Sequence, residues 1–367
     1  MATLVYDIAI IGAGASGLQL LYEIIQADPQ QKILILDSGD RSQKSWCFWE
    51  DKDATCFPFL VEKSWHSMTY RSSEGETLKS PIHPLQYNYI SSDRFFAYFF
   101  DEFIPAKPNI TLVNCKARKI QEGGELHSVI CEDNSTYYAK RVADSRPQKS
   151  EKPDVIYQHF SGKFIEFEEP ILDESSMTLM DFSLQVSTPN MAVFHYILPF
   201  SKTKALIETT VFTQLAYDRE AYERIWQDYI QTHYSTHEFK ILSNEMGTIP
   251  MGGVTQKRDG SVFNIGTSGG NMKASTGYAF TRMHEDAKQR AQNLSRKTPN
   301  RFRFYDKMLL KIMKNEMNKI PEVMDRLFSK VQTPQILRFL DDKSSLADDI
   351  KLLSKLDIPL FVKHLLR

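Results

Sequence analysis

Cysteine is scarce in this chain of 367 residues, with only Cys47, Cys56, Cys115 and Cys131. None is spaced C-x-x-C, which argues against a zinc site, and a disulfide framework is not expected at this length. The four read as reduced thiols of a cytosolic protein. An excess of charge is also missing: 45 Lys and Arg against 46 Asp and Glu leave a net charge of −1. No global field therefore attracts nucleic acid or another polyanion. No apolar run approaches the roughly 18 residues that span a bilayer. The N-terminus passes straight into "LVYDIAIIGAG" without a basic segment or a small-residue cleavage site, so no targeting signal is read there. Internal repeats and low-complexity tracts are absent too. What remains is an ordinary globular composition, 42% hydrophobic and 25% charged, long enough for two domains or one interleaved unit.

"YDIAII" is a short apolar run with the character of a buried strand. A glycine turn follows, then "SGLQLLYEIIQ" with its Leu and Ile at helical spacing, then a second strand, "KILILD". Together they form a βαβ unit. "YNYISSDRFFAYFFDEFI" predicts a mostly buried helix entered at Ser/Asp. "NITLVN", "HSVICE" and "STYYAKRVADS" predict an antiparallel piece ending near Asp144. Beyond residue 150 the chain turns β-rich and aromatic, in "DVIYQHFSGKFIEF", "AVFHYILPF" and "KALIETTVF". "DREAYERIWQDYIQTHY" predicts an amphipathic helix, and the tail from about 285 is helical. The expected fold is α/β: a Rossmann-like nucleotide-binding domain (1–145 and 246–295), an interleaved β-sheet substrate domain (146–245) and a helical C-terminal region (296–367).

Gly12, Gly14 and Gly17 stand in G-x-G-x-x-G spacing between a strand and a helix. The first allows the tight turn, the second lets backbone approach a pyrophosphate, and the third permits close helix–sheet packing. Asp37 ends the next strand, where an acid accepts a hydrogen bond from a ribose hydroxyl. A second glycine-rich stretch, "NIGTSGGNMKASTGYAF", offers amides at Gly266 and Gly277 to the other end of a long cofactor, which favours FAD over NAD.

The order of the fingerprint, Asp37, "RSQKSWCFWE", "PFSKTKALIETTVFT" and "GTSGGNMKASTGYAF" resembles the lycopene cyclase family of flavoproteins, in its bacterial β-cyclase branch. The resemblance runs from Asp7 to about Phe280 and more loosely through the helical tail. It implies a long polyene substrate, lycopene, whose acyclic end groups become β-rings through a protonated cation. It also implies reduced FAD acting without net redox change, and NAD(P)H as the reductant. Glu208 in "LIETT" is the implied acid. Strand alternation puts it on one face with Leu206, Thr210 and Phe212, where apolar neighbours would keep it protonated; a solvated glutamate paired with Lys202 or Lys204 is the alternative reading.

Trp46, Phe48 and Trp49 are expected to wall the substrate tunnel and face the cation with their π-clouds. Arg94 and Asp144 match places where related flavoproteins contact the cofactor. His195 reads as structural. The family usually carries a second acid after the glutamate, where this chain has Thr209. It also usually has a proline where this chain has Ala274. The first departure leaves a single carboxylate at that motif. "RFRFYDKMLLKIMKNEMNK" interleaves basic and apolar residues, as does an amphipathic helix packed on the core or an interfacial helix; peripheral association with the inner face of a membrane is expected. No metal site is expected. The fingerprint alone fits equally well an FAD-dependent monooxygenase or oxidoreductase acting on an apolar substrate.

Overall fold

A computed structural model describes residues 4–39, 41–147, 155–184, 186, 190–216, 218–252, 260–294, 298–356 and 358–365. The chain enters through β1 (Val5–Ile11), α1 (Ala15–Ala27) and β2 (Ile33–Asp37). It continues through β3 (Ser45–Asp51), β4 (Lys63–Trp65), β5 (Ser67–Arg71), β6 (Thr77–Pro81) and β7 (Leu85–Ser91). Helix α2 (Ser92–Ala97) follows, capped by Ser91, whose hydroxyl accepts the Arg94 N–H. Strands β8 (Ile110–Asn114), β9 (Ala117–Gln121), β10 (His127–Cys131) and β11 (Thr136–Asp144) complete the first half. The β-rich part comprises β12 (Ile156–Phe167), β13 (Ser176–Asp181), β14 (Met191–Pro199), β15 (Lys204–Thr213), α3 (Arg219–Tyr234), β16 (Phe239–Met251) and β17 (Val262–Asn264). Helices α4 (Phe280–Ala291), α5 (Asn300–Asn315), α6 (Ile320–Lys330), α7 (Thr333–Leu340), α8 (Leu346–Leu353) and α9 (Ile358–Leu365) close the chain.

Two seven-stranded sheets and a three-stranded one organise these elements. In the first sheet β8, β2, β1 and β11 run parallel, with the antiparallel β10 and β9 at one side and β17 parallel to β11. The cores of β1 and β2 are continuous Ile, Leu and Ala because both faces are covered, one by α1 and α4 and the other by residues of β9 and β10. Gly17 sets how closely α1 packs: a Cβ there would lie 2.0 Å from the Gly12 carbonyl oxygen. The second sheet runs β16-β12-β15-β14-β13-β5-β6. Strands β5 and β6 reach it from the first third of the chain, and β16 joins it as an edge. The small sheet, β3-β7-β4, sits between the two large ones.

Cys115 and Cys131 form a disulfide, which corrects the expectation of four reduced thiols. Sequence spacing concealed the pair because the meander from β8 to β10 brings the two together across 16 residues. Cys47 and Cys56 remain thiols.

The helical tail covers the aromatic face of the second sheet. Trp49 donates its indole N–H to the Leu337 carbonyl (3.0 Å), and Tyr70 stacks on Phe328 with centroids 4.2 Å apart. A buried ion network pins this cap to the glycine-rich loop after β17. Lys273 Nζ lies 2.6 Å from Asp306 and 2.7 Å from Asp342, which also pairs with Arg282. Removing one partner of such a network leaves charge buried and uncompensated. Lys273→Met should therefore lower unfolding free energy by about 3 kcal/mol or more. Adding Asp306→Asn should restore part of it. Urea titration of both variants checks this.

Candidate active site

The site begins with a residue that has no side chain. Gly162 lies in the middle of β12, opposite Glu208 on β15 and opposite Glu245 on β16. A Cβ at 162 would stand 3.3 Å from Glu208 Cβ and 3.3 Å from Glu245 Cγ. Glycine thus opens a notch in the central strand, and the flanking glutamates reach over it to hydrogen-bond each other. Glu208 Oε1 accepts a hydrogen bond from Thr210 Oγ1 at 2.8 Å. Glu245 Oε2 accepts one from Ser45 Oγ at 2.7 Å. Lys204, the partner imagined for a solvated Glu208, instead bonds Glu166.

Burial raises both carboxyl pKa values, and the neighbouring Glu245 raises that of Glu208 further. The Thr210 hydroxyl favours the charged form of Glu208 and the Ser45 hydroxyl that of Glu245, but burial outweighs both. The pair thus shares a proton in a range where exposed glutamates have lost theirs. Two like charges this close cannot both form cheaply.

Tyrosines close the site. Tyr196 is the cross-strand neighbour of Glu208 on β14. Its hydroxyl lies 3.4 Å from that of Tyr278, which lies 3.3 Å from that of Tyr87. Burial raises all three phenols, so they stay neutral. The Cys47 thiol is raised by burial and by both glutamates. Glu208, Cys47 and Tyr278 are half-buried, and Tyr278 with Tyr196 borders a small hollow of about 20 Å3.

Strand alternation sorts the aromatic cluster in "SWCFW". Ser45, Cys47 and Trp49 face the glutamates; Trp49 packs edge-on to Tyr278 at 4.4 Å. Trp46 and Phe48 face the other way, and both stack on Phe280 in the core beside α1 and α2. The three were expected to wall one tunnel, and the period of two in β3 divides them.

The same alternation settles the significance of Thr209. It points to the opposite face with Ile207 and Val211, which pack against α3. Its buried hydroxyl has no hydrogen-bond partner among the described residues. An acid at 209 would not face Glu208's cavity. The second carboxylate comes from Glu245, so the expectation of a single one is corrected. Sequence reasoning passed over Glu245, which lies 37 positions from Glu208, yet a lone glycine inside the strand "HFSGKFIEF" is a signal of close approach. His195 shares the face of Thr209. It stacks on Tyr229 at 3.8 Å, and burial pushes its pKa down to about 3.

The glycine fingerprint forms a cradle that fits a dinucleotide. Gly12 has φ +92, and Gly14 is the N-cap of α1 without a side-chain cap. A Cβ on Gly14 would meet nothing within 4 Å. The uncapped amides of the first turn therefore face open space, as a pyrophosphate requires. Asp37 accepts hydrogen bonds from Ala13 N (2.9 Å), Gly39 N (3.1 Å) and, at 3.5 Å, the Arg41 guanidinium, which leaves a lone pair on Oδ1 for a ribose hydroxyl. Gly266, at φ +64, lies against the first turn of α1: a Cβ there would be 2.6 Å from Ser16 Oγ. Gly277 (φ +78) packs instead on Gln158 of β12, next to Tyr278. Asp144 grips Arg146 through two hydrogen bonds of 2.8 Å, fixing the D-x-R turn at the end of β11. Arg94 is exposed and donates to the Phe59 carbonyl at 2.9 Å.

Comparison with known proteins agrees with this layout. The lycopene cyclase protein family matches residues 7–364. Lycopene beta cyclase of Nicotiana tabacum is 25% identical over 311 residues, and neoxanthin synthase of Solanum lycopersicum 21% over 303; each alignment covers 76% of this chain. The chain spans 58% of the length of these relatives. A geranylgeranyl bacteriochlorophyll reductase-like protein from Thermoplasma acidophilum superposes with a TM-score of 0.64 at 11% identity, covering 99% of both chains. Klebsiella pneumoniae HpxO, in complex with FAD, superposes with a TM-score of 0.56 at 14% identity, covering 96% of this chain and 100% of its own. The fold is the Rossmann-like FAD-binding fold with a β-sheet domain and a helical C-terminal part.

The carboxyl pair makes stability depend on pH. Unfolded glutamates ionise near about 4.3, whereas these two hold protons to higher pH in the fold. Between those limits the folded chain binds more protons, so stability falls as pH rises. Glu208→Gln should therefore melt close to the parent at pH 5 and be more stable at pH 8, by about 1–3 kcal/mol. Thermal denaturation at the two pH values measures the difference.

Proposed function

Because this chain belongs to the lycopene cyclase family, we propose that the notch over Gly162 is the acid–base centre of a lycopene β-cyclase. The observation that carries the reading is the carboxyl pair itself: two glutamates from the strands on either side of β12, meeting over Gly162 beside a group of tyrosines. Glu208 in its neutral form donates a proton to the terminal double bond of an acyclic end group. The tertiary cation so formed is attacked by the next double bond, which closes a six-membered ring. Loss of a proton from the adjoining ring carbon gives the β-ring. Glu245, which accepts a hydrogen bond from Ser45 and faces Glu208 over Gly162, is the group suited to accept that proton. One proton enters and one leaves, so substrate and product are isomers and no electrons are transferred.

The surroundings suit a cation. Tyr196, Tyr278 and Tyr87 are neutral, buried rings, and Trp49 adds a fourth, so their faces offer negative quadrupoles without a base that would trap the intermediate. Enclosure limits the water that would quench it. The residues suited to hold FAD are Gly12, Gly14, Gly17, Asp37 and Gly266, with Asp144 shaping the adjoining turn. Reduced FAD bound there would supply negative charge that stabilises a developing cation, with NAD(P)H as its reductant. The substrate's insolubility and the basic, apolar face of α5 support peripheral association with the cytoplasmic face of a membrane. No helix among the described residues is long and apolar enough to cross one.

Anaerobic incubation with lycopene, FAD and a reductant should yield ring-closed product of unchanged mass. A requirement for oxygen, or a gain in mass, would favour a monooxygenase instead. Glu208→Gln, with flavin still bound, should lower the rate by about 10²–10⁴-fold. In the parent the rate should fall on the alkaline side, as Glu208 gives up its proton. Asp37→Ala should be purified with less bound flavin than the parent, read from its visible absorbance.

A further inference from the structure

The helical cap encloses a second feature, a cavity of about 410 Å3. That lies within the roughly 300–1,000 Å3 typical of small-molecule sites. Its wall is built from α5, α6, α7 and α8, with Phe361 of α9, and is aliphatic and aromatic almost throughout. Lys273, Ser275, Asp306 and Ser354 also border it, and each is already occupied. Lys273 bonds Asp306 and Asp342; Ser275 donates to Asp306 at 2.6 Å; Ser354 donates to the Lys351 carbonyl at 2.7 Å. The wall therefore has little to offer a polar ligand, and a hydrocarbon suits it.

The cavity leads inward. Ser275, Leu309, Met324 and Leu340 belong at once to its wall and to that of a smaller hollow of about 20 Å3. The smaller hollow is bounded on its far side by Tyr196 and Tyr278, the two tyrosines beside Glu208. Room for about one water is too little for a polyene. Met180, Met313 and Met324 line this neck, however, and unbranched methionine side chains rearrange readily to admit a chain. The cavity also leads outward. Phe304 and Ile350, both in its wall, are 46% and 62% exposed. Arg303 and Lys307 flank Phe304 on exposed positions of α5. An apolar rim with cationic neighbours suits contact with the surface of an anionic bilayer.

We infer that the hollow and the cavity form one passage for the substrate's polyene chain. The reactive end group lies at Glu208, and the rest of the molecule runs alongside Tyr196 and Tyr278, past the methionine neck, through the cap and out at Phe304 and Ile350. The inference rests on the reading of Glu208 as the proton donor, because that residue fixes where the end group lies. It gives the helical cap a purpose that catalysis at the carboxyl pair does not itself require, and it makes chain length a determinant of turnover.

Leu353 borders the outer cavity and lies apart from the carboxyl pair, so it separates the two ideas. Leu353→Trp narrows the cavity, and Leu353→Phe does so more gently should the larger ring disturb folding. For lycopene in detergent micelles, kcat/KM should fall by about tenfold or more, because binding along the remote chain no longer supports the reaction. A truncated polyene with the same acyclic end group and less than half the chain should change by less than about threefold, since it does not reach the cap. Binding is read independently of turnover, from lycopene absorbance that co-elutes with the protein, with Leu353→Trp added to Glu208→Gln. Retention should fall relative to Glu208→Gln alone. Unaltered lycopene turnover and retention in folded Leu353 variants would overturn the passage, as would equal loss for the short and long compounds. Failure of the parent to cyclise either compound, with retention still sensitive to Leu353, would count against the role of Glu208 and leave the passage standing.

Discussion

Two carboxyl groups forced to share a space from which bulk water is largely removed are the constraint around which this protein is built. Each would ionise readily in water. Together, over the notch at Gly162, they cannot, because a second negative charge would have neither solvent nor cation to offset it. The fold accepts that electrostatic cost. Three adjacent strands supply it: Glu208 from β15, the gap from β12 and Glu245 from β16. Hydroxyls from Thr210 and Ser45 each donate to one of the two groups and so support the single charge that the pair can carry. The result is a pair that holds one proton between two carboxyl groups, which suits protonation followed by proton loss.

The rest of the structure protects that arrangement. The sheet face bearing the pair is roofed by tyrosines and by the helical tail, and the tail is fastened through Lys273, Asp306, Asp342 and Arg282. This network reaches from the glycine-rich loop to the cap. It therefore couples the part of the chain suited to FAD to the part that covers the carboxyls. Placing the ion pairs beside an apolar cavity keeps their polar atoms mutually satisfied, so the cavity stays suited to hydrocarbon.

Much of this was legible in the sequence where the signal is local. Gly12, Gly14, Gly17 and Asp37 stand within one βαβ unit, so spacing alone placed the cradle. Glu208 could be put on an apolar face because alternation within "ALIETTVF" is a property of that strand alone. What could not be read depends on pairing between distant segments. Glu245 lies in β16, whose sequence "FKILSNEMGTIPM" mixes polar and apolar residues without clean alternation, and only its register against β12 brings it to Glu208. Cys115 and Cys131 meet for a similar reason. The aromatics of "SWCFW" were read as a cluster when their alternation should have divided them: Trp49 faces one side, Trp46 and Phe48 the other. Thr209 is the converse case. As a departure from a motif it suggested a missing acid, but its position puts it on the α3 side of the sheet.

The central claim is that a protonated carboxylic acid persists at Glu208 in the folded protein at neutral pH. Infrared difference spectroscopy tests it most directly, comparing the parent with Glu208→Gln at pH 7 in light and heavy water. The account predicts a carbonyl band of a neutral carboxylic acid in the parent that shifts on deuteration and is absent from the variant. A parent spectrum with only carboxylate bands at that position, in protein that still converts substrate, would contradict it.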